Sequence, residues 1–233
     1  MGYGRGMESK AGLGAYLSLW VFGLAFGLME AAVVVYLRHI GGFAPGQLFP
    51  LLQHLNPAQE LAFFIERLRE GASLIVMAGP AFLFSSRIFE RLLGYALVFG
   101  IWDLSYYGFL WLLADWPPSL FTYDVLFLIP TLWVAPVLCP VLISFSLVVS
   151  VSAYLLIVRR RMPRNPSLLQ SLLALLGGAL VQLSFMDHAD YYLNGGMPTR
   201  FSWLLFAGGY GLAALAAVLF LVQFTRQPRT RFF

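Results

Sequence analysis

Three charged residues in an apolar stretch have the spacing that could form a binding site within a membrane. Glu66, Arg69 and Glu70 belong to the segment 61–84, which reads LAFFIERLREGASLIVMAGPAFLF. In a helix they lie at positions i, i+3 and i+4, so their side chains share one face. The uncharged part, 71–84, would cover only about 21 Å, less than the ~30 Å hydrocarbon core of a bilayer. The segment can therefore cross a membrane only if these charges lie in or near the bilayer.

A charged side chain at that depth is usually paired, faces the interior of a helix bundle, or serves a function. One interpretation is an intramembrane polar site. The other needs no ligand: the acids and arginines pair with one another at the membrane interface, and Arg67 and Arg69 extend into the headgroups. Both interpretations stay open for this segment taken alone.

Two more carboxyl groups lie inside apolar segments and favour the polar site. Glu30 lies well inside the first apolar segment, and Asp103 is near the middle of GIWDLSYYGF, with Tyr106 and Tyr107 at i+3 and i+4 on the same face. An unpaired ionised carboxylate there is costly, so Asp103 must be protonated, paired or solvated by a cavity. We predict a ligand- or ion-binding site formed by Glu30, Glu66, Arg69, Glu70, Asp103, Tyr107 and Asp124.

Candidate metal ligands occur in the sequence MDHADYYLNGG, 186–196. Carboxylate and imidazole side chains can bind a divalent cation, which predicts His188 and Asp190 as metal ligands and a divalent metal ion as the candidate cofactor. The alternative is a solvated loop, since Asn-Gly-Gly is typical of a turn.

The composition is that of a polytopic membrane protein. The chain has 233 residues, of which 60% are hydrophobic and only 11% charged, and its mean hydropathy is +0.77. A soluble domain is far more polar. The net charge of +4 comes from basic residues beside apolar runs, where they report topology, and we predict no nucleic-acid partner. Cys139 is the only cysteine, so no intrachain disulfide can form.

The apolar segments predict an all-α fold, with residues 1–233 forming one integral membrane domain of six transmembrane helices. Pro130, Pro136 and Pro140 interrupt a long apolar run, which predicts an interfacial or re-entrant segment at 120–129 before a kinked fourth helix. Gly23 and Gly27 predict a close helix contact in the first span. The predicted helices are 12–37, 61–84, 92–114, 131–158, 167–186 and 201–224.

The basic residues predict an orientation in the cytoplasmic (inner) membrane. With six helices and the N-terminus in the cytoplasm, eleven of the fifteen Lys and Arg residues fall on the cytoplasmic side, as the positive-inside rule expects. Both termini are then cytoplasmic. The intramembrane acids map to the outer half or the midplane, which predicts a net-acidic region that opens toward the outer face.

Three classes of function fit this pattern. The first is transport of a proton, a metal ion or a small cationic solute. The second is a metal-dependent membrane enzyme with carboxylates as acid and base. The third is an auxiliary subunit whose charges pair with another chain, and homo-oligomers are also expected partners besides the lipid bilayer. A retinal Schiff base is excluded because the only lysine, Lys10, lies outside the predicted spans.

Overall fold

A computed structural model describes residues 3–41, 57–158, 165–193 and 200–225. The chain is mostly helical, and its order is helix, helix, helix, strand, strand, then four further helical segments. The helices are α1 (Tyr3–Gly41), α2 (Pro57–Phe84), α3 (Ile88–Ala114), α4 (Leu138–Ala153, continued by a π-helical turn at Tyr154–Val158), α5 (Leu168–Met186), α6 (Ala189–Leu193) and α7 (Trp203–Thr225); the strands are β1 (Tyr123–Phe127) and β2 (Trp133–Pro136).

Five spans in the described part of the chain are long and apolar enough to cross a membrane. They are Gly12–His39, Ile88–Ala114, Leu138–Leu156, Leu168–Tyr192 and Trp203–Gln223. A multi-pass membrane protein with apolar helices in the lipid bilayer fits this composition. The charged helix α2 is not among the five, although its end at Phe84 agrees with the sequence prediction.

The segment before α4 differs from the prediction. Residues 133–136, predicted to lie in a helix that starts at 131, are instead extended. They pair with residues of the predicted interfacial or re-entrant segment 120–129 in an antiparallel hairpin, in which Tyr123 pairs with Pro136 and Val125 with Val134. The placement of 120–129 in the membrane stays a prediction. The prolines keep the preceding residues in extended backbone, and β-branched and aromatic residues between them favour strands. The fold is therefore not purely helical, and α4 starts at Leu138 with Pro140 in its first turn, where a proline is tolerated.

Helix α3 packs against α1, α2 and α4. The contact with α1 depends on small residues, as predicted: a Cβ on Gly23 would lie 2.8 Å from Cγ2 of Ile101, and one on Gly27 would lie 2.8 Å from the Trp102 carbonyl oxygen. Buried apolar side chains of α3, such as Leu97 and Leu110, fill the surrounding core. This packing fixes the rotation of α3 and therefore the direction of its polar face.

Helices α5 and α7 form a second close pair. A Cβ on Gly177 would lie 2.6 Å from the Gly209 carbonyl oxygen, and one on Gly209 would lie 2.7 Å from the Gly177 carbonyl oxygen. The two backbones are therefore in direct contact. Ser167 begins α5 with a capping box that it shares with Gln170, which satisfies free N–H groups at this helix end.

Candidate functional site

A cavity of about 320 Å³ lies between helices α1 to α5 and the hairpin. Its wall contains all seven residues that the sequence predicts for the ligand site: Glu30, Glu66, Arg69, Glu70, Asp103, Tyr107 and Asp124. They come from α1, α2, α3 and β1. Their convergence is a structural fact, whereas their role as a binding site stays a prediction.

Arg69 neutralises two of these carboxylates. Its Nε and one terminal nitrogen donate hydrogen bonds to the two carboxylate oxygens of Glu66, at 2.9 and 2.5 Å, and the other terminal nitrogen forms an ion pair with Glu30. Ser73 Oγ donates a 2.6 Å hydrogen bond to the second oxygen of Glu30. Glu30 and Glu66 are buried, so this network joins α1 to α2 and leaves neither acid without a counter-charge.

Glu70 is held by the hairpin and not by a cation. The backbone N–H of Leu128 donates a 2.8 Å hydrogen bond to Oε2 of Glu70. This contact ties α2 to the end of β1. Within the described residues, no hydrogen bond to the second carboxylate oxygen of Glu70 is found.

Asp103 and Asp124 each accept a hydrogen bond from a neighbouring element. Ser144 Oγ on α4 donates to Oδ2 of Asp103 at 2.7 Å, and the Tyr107 hydroxyl donates to Oδ2 of Asp124 at 3.0 Å. The sequence places Asp103, Tyr106 and Tyr107 on one face of α3, but the Tyr107 hydroxyl donates its hydrogen bond to Asp124 and not to Asp103. Asp103 and Asp124 are each only 8% exposed.

Burial also changes the acidity of Asp124, which lies in β1 outside the membrane-spanning helices. Removal from water raises its pKa from the usual 3.8 to about 6. The hydrogen bond from Tyr107, the positive charge of Arg38 and the N–H of Val125 oppose this rise and do not cancel it. Asp124 therefore titrates near pH 6, closer to neutrality than an ordinary aspartate.

The cavity has an excess of negative charge. Five carboxylates and two guanidinium groups line it. Arg69 is committed to two of the acids, and the guanidinium carbon of Arg38 lies 4.4 Å from the ring centroid of Trp116, a cation–π contact. Among the described residues, Glu70, Asp103 and Asp124 have no Lys, Arg or His nitrogen within 4.0 Å.

Aromatic rings form two walls of the same cavity. We call the first the α3 wall; its neighbouring rings lie 5.0 to 6.3 Å apart by centroid, and it consists of Phe99, Trp102, Tyr106, Tyr107 and Trp116. The second, the hairpin wall, consists of Phe127, Trp133 and Phe185, with centroid distances of 5.5 and 6.2 Å. The acids therefore lie in a cavity that is mostly aromatic and apolar.

The predicted metal ligands lie elsewhere. His188 and Asp190 do not line the cavity. His188 Nε2 is 3.9 Å from a carboxylate oxygen of Asp187, and its ring meets the ring of Tyr192 edge to face. In the part of the chain that the structure describes, no group of three or more His, Cys, Asp and Glu side chains could hold a metal ion. The metal prediction therefore gains no support.

Sequence reasoning missed several cavity residues. Ser73 could have been found, because it lies three and four residues after Glu70 and Arg69 and so shares their helical face. Arg38 follows Glu30 by two helical turns on α1 and could also have been included. Trp133 and Ser144 carry no such signal, since the hairpin and the rotation of α4 bring them to the cavity.

Compared with known proteins, the sequence matches no family model, no curated protein and no solved structure.

Proposed function

We propose that this protein is an integral membrane carrier that binds a cation in the cavity: a proton, a metal ion or a small cationic solute. The observation that supports this best is a set of three carboxylates, the buried Asp103 and Asp124 and the half-buried Glu70, that line one cavity and have no cationic partner within 4.0 Å among the described residues. Ionised carboxylates out of water are costly without a counter-charge. A bound cation supplies that charge.

The proposal includes α2 as a sixth transmembrane helix. Large apolar side chains are exposed along its whole length, from Leu61 at 58% to Leu83 at 90%. At about 1.5 Å per residue these two residues are about 33 Å apart, enough for the ~30 Å hydrocarbon core. Its acids and Arg69 line the cavity, so the helix turns an apolar face outward and its charges inward, which is the arrangement expected of charged residues in a membrane.

The proposed orientation follows from the six helices and the basic residues. Both termini are cytoplasmic, the protein lies in the inner membrane, and the hairpin and the end of α1 lie on the outer side. Since Arg38, Trp116 and β1 all line the cavity, the cavity opens toward the outer face. Much of the basic signal comes from the cluster 159–164, which lies outside the described residues.

A structural role is the second candidate, and one observation favours it. The hydrogen bonds of the three carboxylates join pairs of elements: Asp103 joins α3 to α4, Asp124 joins β1 to α3, and Glu70 joins α2 to the hairpin. In an auxiliary subunit, these hydrogen bonds between elements could be the only role of the acids. A carrier needs their charge as well, so replacing carboxylates by amides separates the two roles.

Transport can be tested with the purified protein in proteoliposomes. Gradients of H⁺, Na⁺, Mg²⁺ and tetramethylammonium are imposed in turn, and ion movement is followed by a pH-sensitive dye or ion-selective electrode. We expect at least one gradient to drive flux that Asp103→Asn abolishes, because the amide keeps the shape and loses the charge. The matched control is Asp115→Asn at the exposed end of α3, where asparagine tolerates the left-handed backbone. A folded wild type that moves none of these ions, or moves them equally well with Asp103→Asn, contradicts the proposal.

A further inference from the structure

We propose that the cation bound in this cavity is an organic ammonium ion, held by the aromatic α3 wall and hairpin wall together with the unpaired carboxylates. This inference rests on the proposed function and narrows it to one substrate class. It follows from the distribution of the carboxylates, the identity of the wall residues and the size of the cavity.

The carboxylates are arranged poorly for a bare metal ion. Metal ligands must converge on one point at about 2.0 to 2.6 Å, and the described residues contain no group of three or more acids, histidines or cysteines that could do so. Asp103, Asp124 and Glu70 lie on α3, β1 and α2, and each is held in place by a neutral donor of another element. Separated negative charges suit a larger cation whose charge is spread over several alkyl groups.

The aromatic walls supply the other half of such a site. The faces of Trp, Tyr and Phe attract organic cations within about 6 Å of the ring centroid, and the attraction is strongest where water is excluded. The eight residues of the two walls, and Tyr123 besides, line the cavity together with the acids. A strongly hydrated metal ion gains little from such walls, whereas alkyl groups on nitrogen are buried by them.

Tyr106 is a member of the α3 wall that is free to contact the ligand. Its ring stacks on Trp102 at 6.3 Å and meets Tyr107 edge to face at 5.0 Å. Its hydroxyl has no hydrogen-bond partner within the described residues, in contrast to that of Tyr107. The removal of this hydroxyl therefore breaks no contact seen in the structure, which makes Tyr106 a suitable position for a test.

The volume is consistent with a small organic molecule. A cavity of about 320 Å³ is at the lower end of the range found for small-molecule sites, about 300 to 1,000 Å³. Compact amines and quaternary ammonium ions fall within this size.

The test is a titration of the full-length protein in detergent, followed by its tryptophan fluorescence, to which the wall residues Trp102, Trp116 and Trp133 contribute. The probes are tetramethylammonium, choline, the uncharged isostere of choline in which carbon replaces the quaternary nitrogen, and Mg²⁺ and Na⁺. The variants are Tyr106→Leu, which removes the ring, and Tyr106→Phe, which keeps it. Tyr36→Leu on α1, where Tyr36 is 63% exposed, is the control for the loss of an aromatic ring.

We expect choline or tetramethylammonium to bind, the uncharged isostere to bind at least roughly tenfold more weakly, and Tyr106→Leu to lose roughly tenfold in affinity. Tyr36→Leu should bind like the wild type, which shows that loss of an aromatic ring elsewhere does not weaken binding. Tyr106→Phe keeps the ring and should recover most of the affinity that Tyr106→Leu loses. Equal binding of the isostere and the cation would overturn the inference. Binding of Mg²⁺ or Na⁺ alone, if lost in Asp103→Asn, would overturn the inference and leave the proposed function standing. Binding of none of these cations would overturn the inference, and a folded wild type that also moves no protons in proteoliposomes would overturn the proposed function.

Discussion

Arg69 is the residue on which two buried acids depend for their charge balance. It forms ion pairs with both Glu30 and Glu66, whose side chains are only 7% and 11% exposed. Removal of one member of a buried ion pair leaves the others uncompensated, which costs about 3 to 5 kcal/mol. We therefore expect Arg69→Gln to lower the free energy of unfolding by about that amount, measured by thermal or denaturant unfolding in one detergent.

The neighbouring arginine provides the control for this prediction. Arg67 is exposed, and surface substitutions usually change stability by less than about 0.5 kcal/mol, so Arg67→Gln should be nearly neutral. The triple variant in which Glu30 and Glu66 are also replaced by Gln should recover part of the loss. Equal effects of Arg67→Gln and Arg69→Gln would show that the network does not stabilise the fold.

The second prediction at this scale concerns Asp124 and pH. Its pKa is about 6 in the folded protein and 3.8 in the unfolded chain, so between these values the folded state binds more protons. Stability must then decrease as the pH rises from about 4 to about 6. The shift corresponds to about 3 kcal/mol, and Asp124→Asn should remove this contribution.

The measurement is the free energy of unfolding as a function of pH for the wild type, Asp124→Asn and the exposed control Asp115→Asn. The groups that act on Asp124 are Tyr107, Arg38 and the N–H of Val125. Asp103 is an acid with which it interacts, and the asparagine variant leaves all of these groups in place. We expect the wild type and Asp115→Asn to share the pH slope and Asp124→Asn to have a smaller one. Three parallel curves would refute the raised pKa.

Sequence spacing predicts well which residues lie together when they share one face of a single helix. Glu66, Arg69 and Glu70 are brought to one side by helical periodicity, and all three line the cavity. Periodicity does not say which neighbour a side chain meets. For that reason the partners of Asp103 and Asp124, a serine on α4 and a tyrosine on α3, could not be predicted.

At the scale of the elements, the contact between α5 and α7 gives a sharp prediction. A methyl group on Gly209 would meet the Gly177 carbonyl oxygen at 2.7 Å, whereas nothing lies within 4 Å of the same position on Gly208. Gly209→Ala must therefore push the helices apart, at a cost of about 1 to 3 kcal/mol. Gly208→Ala has no clash and should be neutral or stabilising by up to about 1 kcal/mol, since alanine favours a helix.

Thermal unfolding of these two adjacent variants checks the prediction. Their opposite outcomes would show that the close backbone approach holds α5 and α7 together. A harmless Gly209→Ala would mean that these helices are farther apart than the structure places them.

The hairpin shows where element prediction from sequence fails. Long apolar runs predict helices, and the helix ends at Phe84, Ala114 and Met186 agree with the predicted ones. The run after Ala114 is equally apolar, but its prolines and β-branched residues favour extended backbone over 123–136. The two strands pair with each other, and this pairing satisfies part of their backbone hydrogen bonding without a helix.

At the scale of the whole molecule, the number of crossings decides which side the cavity opens to. Composition alone indicates a multi-pass helical membrane protein, since so apolar a chain has no other way to bury its surface. Whether α2 crosses depends on the direction of its charged face, which only the packing of the helices supplies.

Cysteine labelling tests the proposed topology. In a Cys139→Ala background, Ser86→Cys and Ser119→Cys introduce single thiols at exposed positions on either side of α3. With six spans, a membrane-impermeant maleimide added to intact cells should label position 119 and not 86, and tags on both termini should be cytoplasmic. Labelling of 86 instead of 119, or termini on opposite sides, would contradict the proposed crossing of α2 or its orientation.

The most direct test of the central claim, that unpaired carboxylates in the cavity bind a metal ion or a small organic cation, is a calorimetric titration of the purified protein. Choline, Na⁺ and Mg²⁺ are each titrated into the wild type, Asp103→Asn and Asp115→Asn at neutral pH. We expect one cation to bind in equimolar amount to the wild type and to Asp115→Asn. Its affinity should fall at least roughly tenfold in Asp103→Asn, because the variant loses a charge pair with the cation that is worth more than about 1.4 kcal/mol. Absence of cation binding by a folded wild type, or undiminished binding by a folded Asp103→Asn, would contradict the claim.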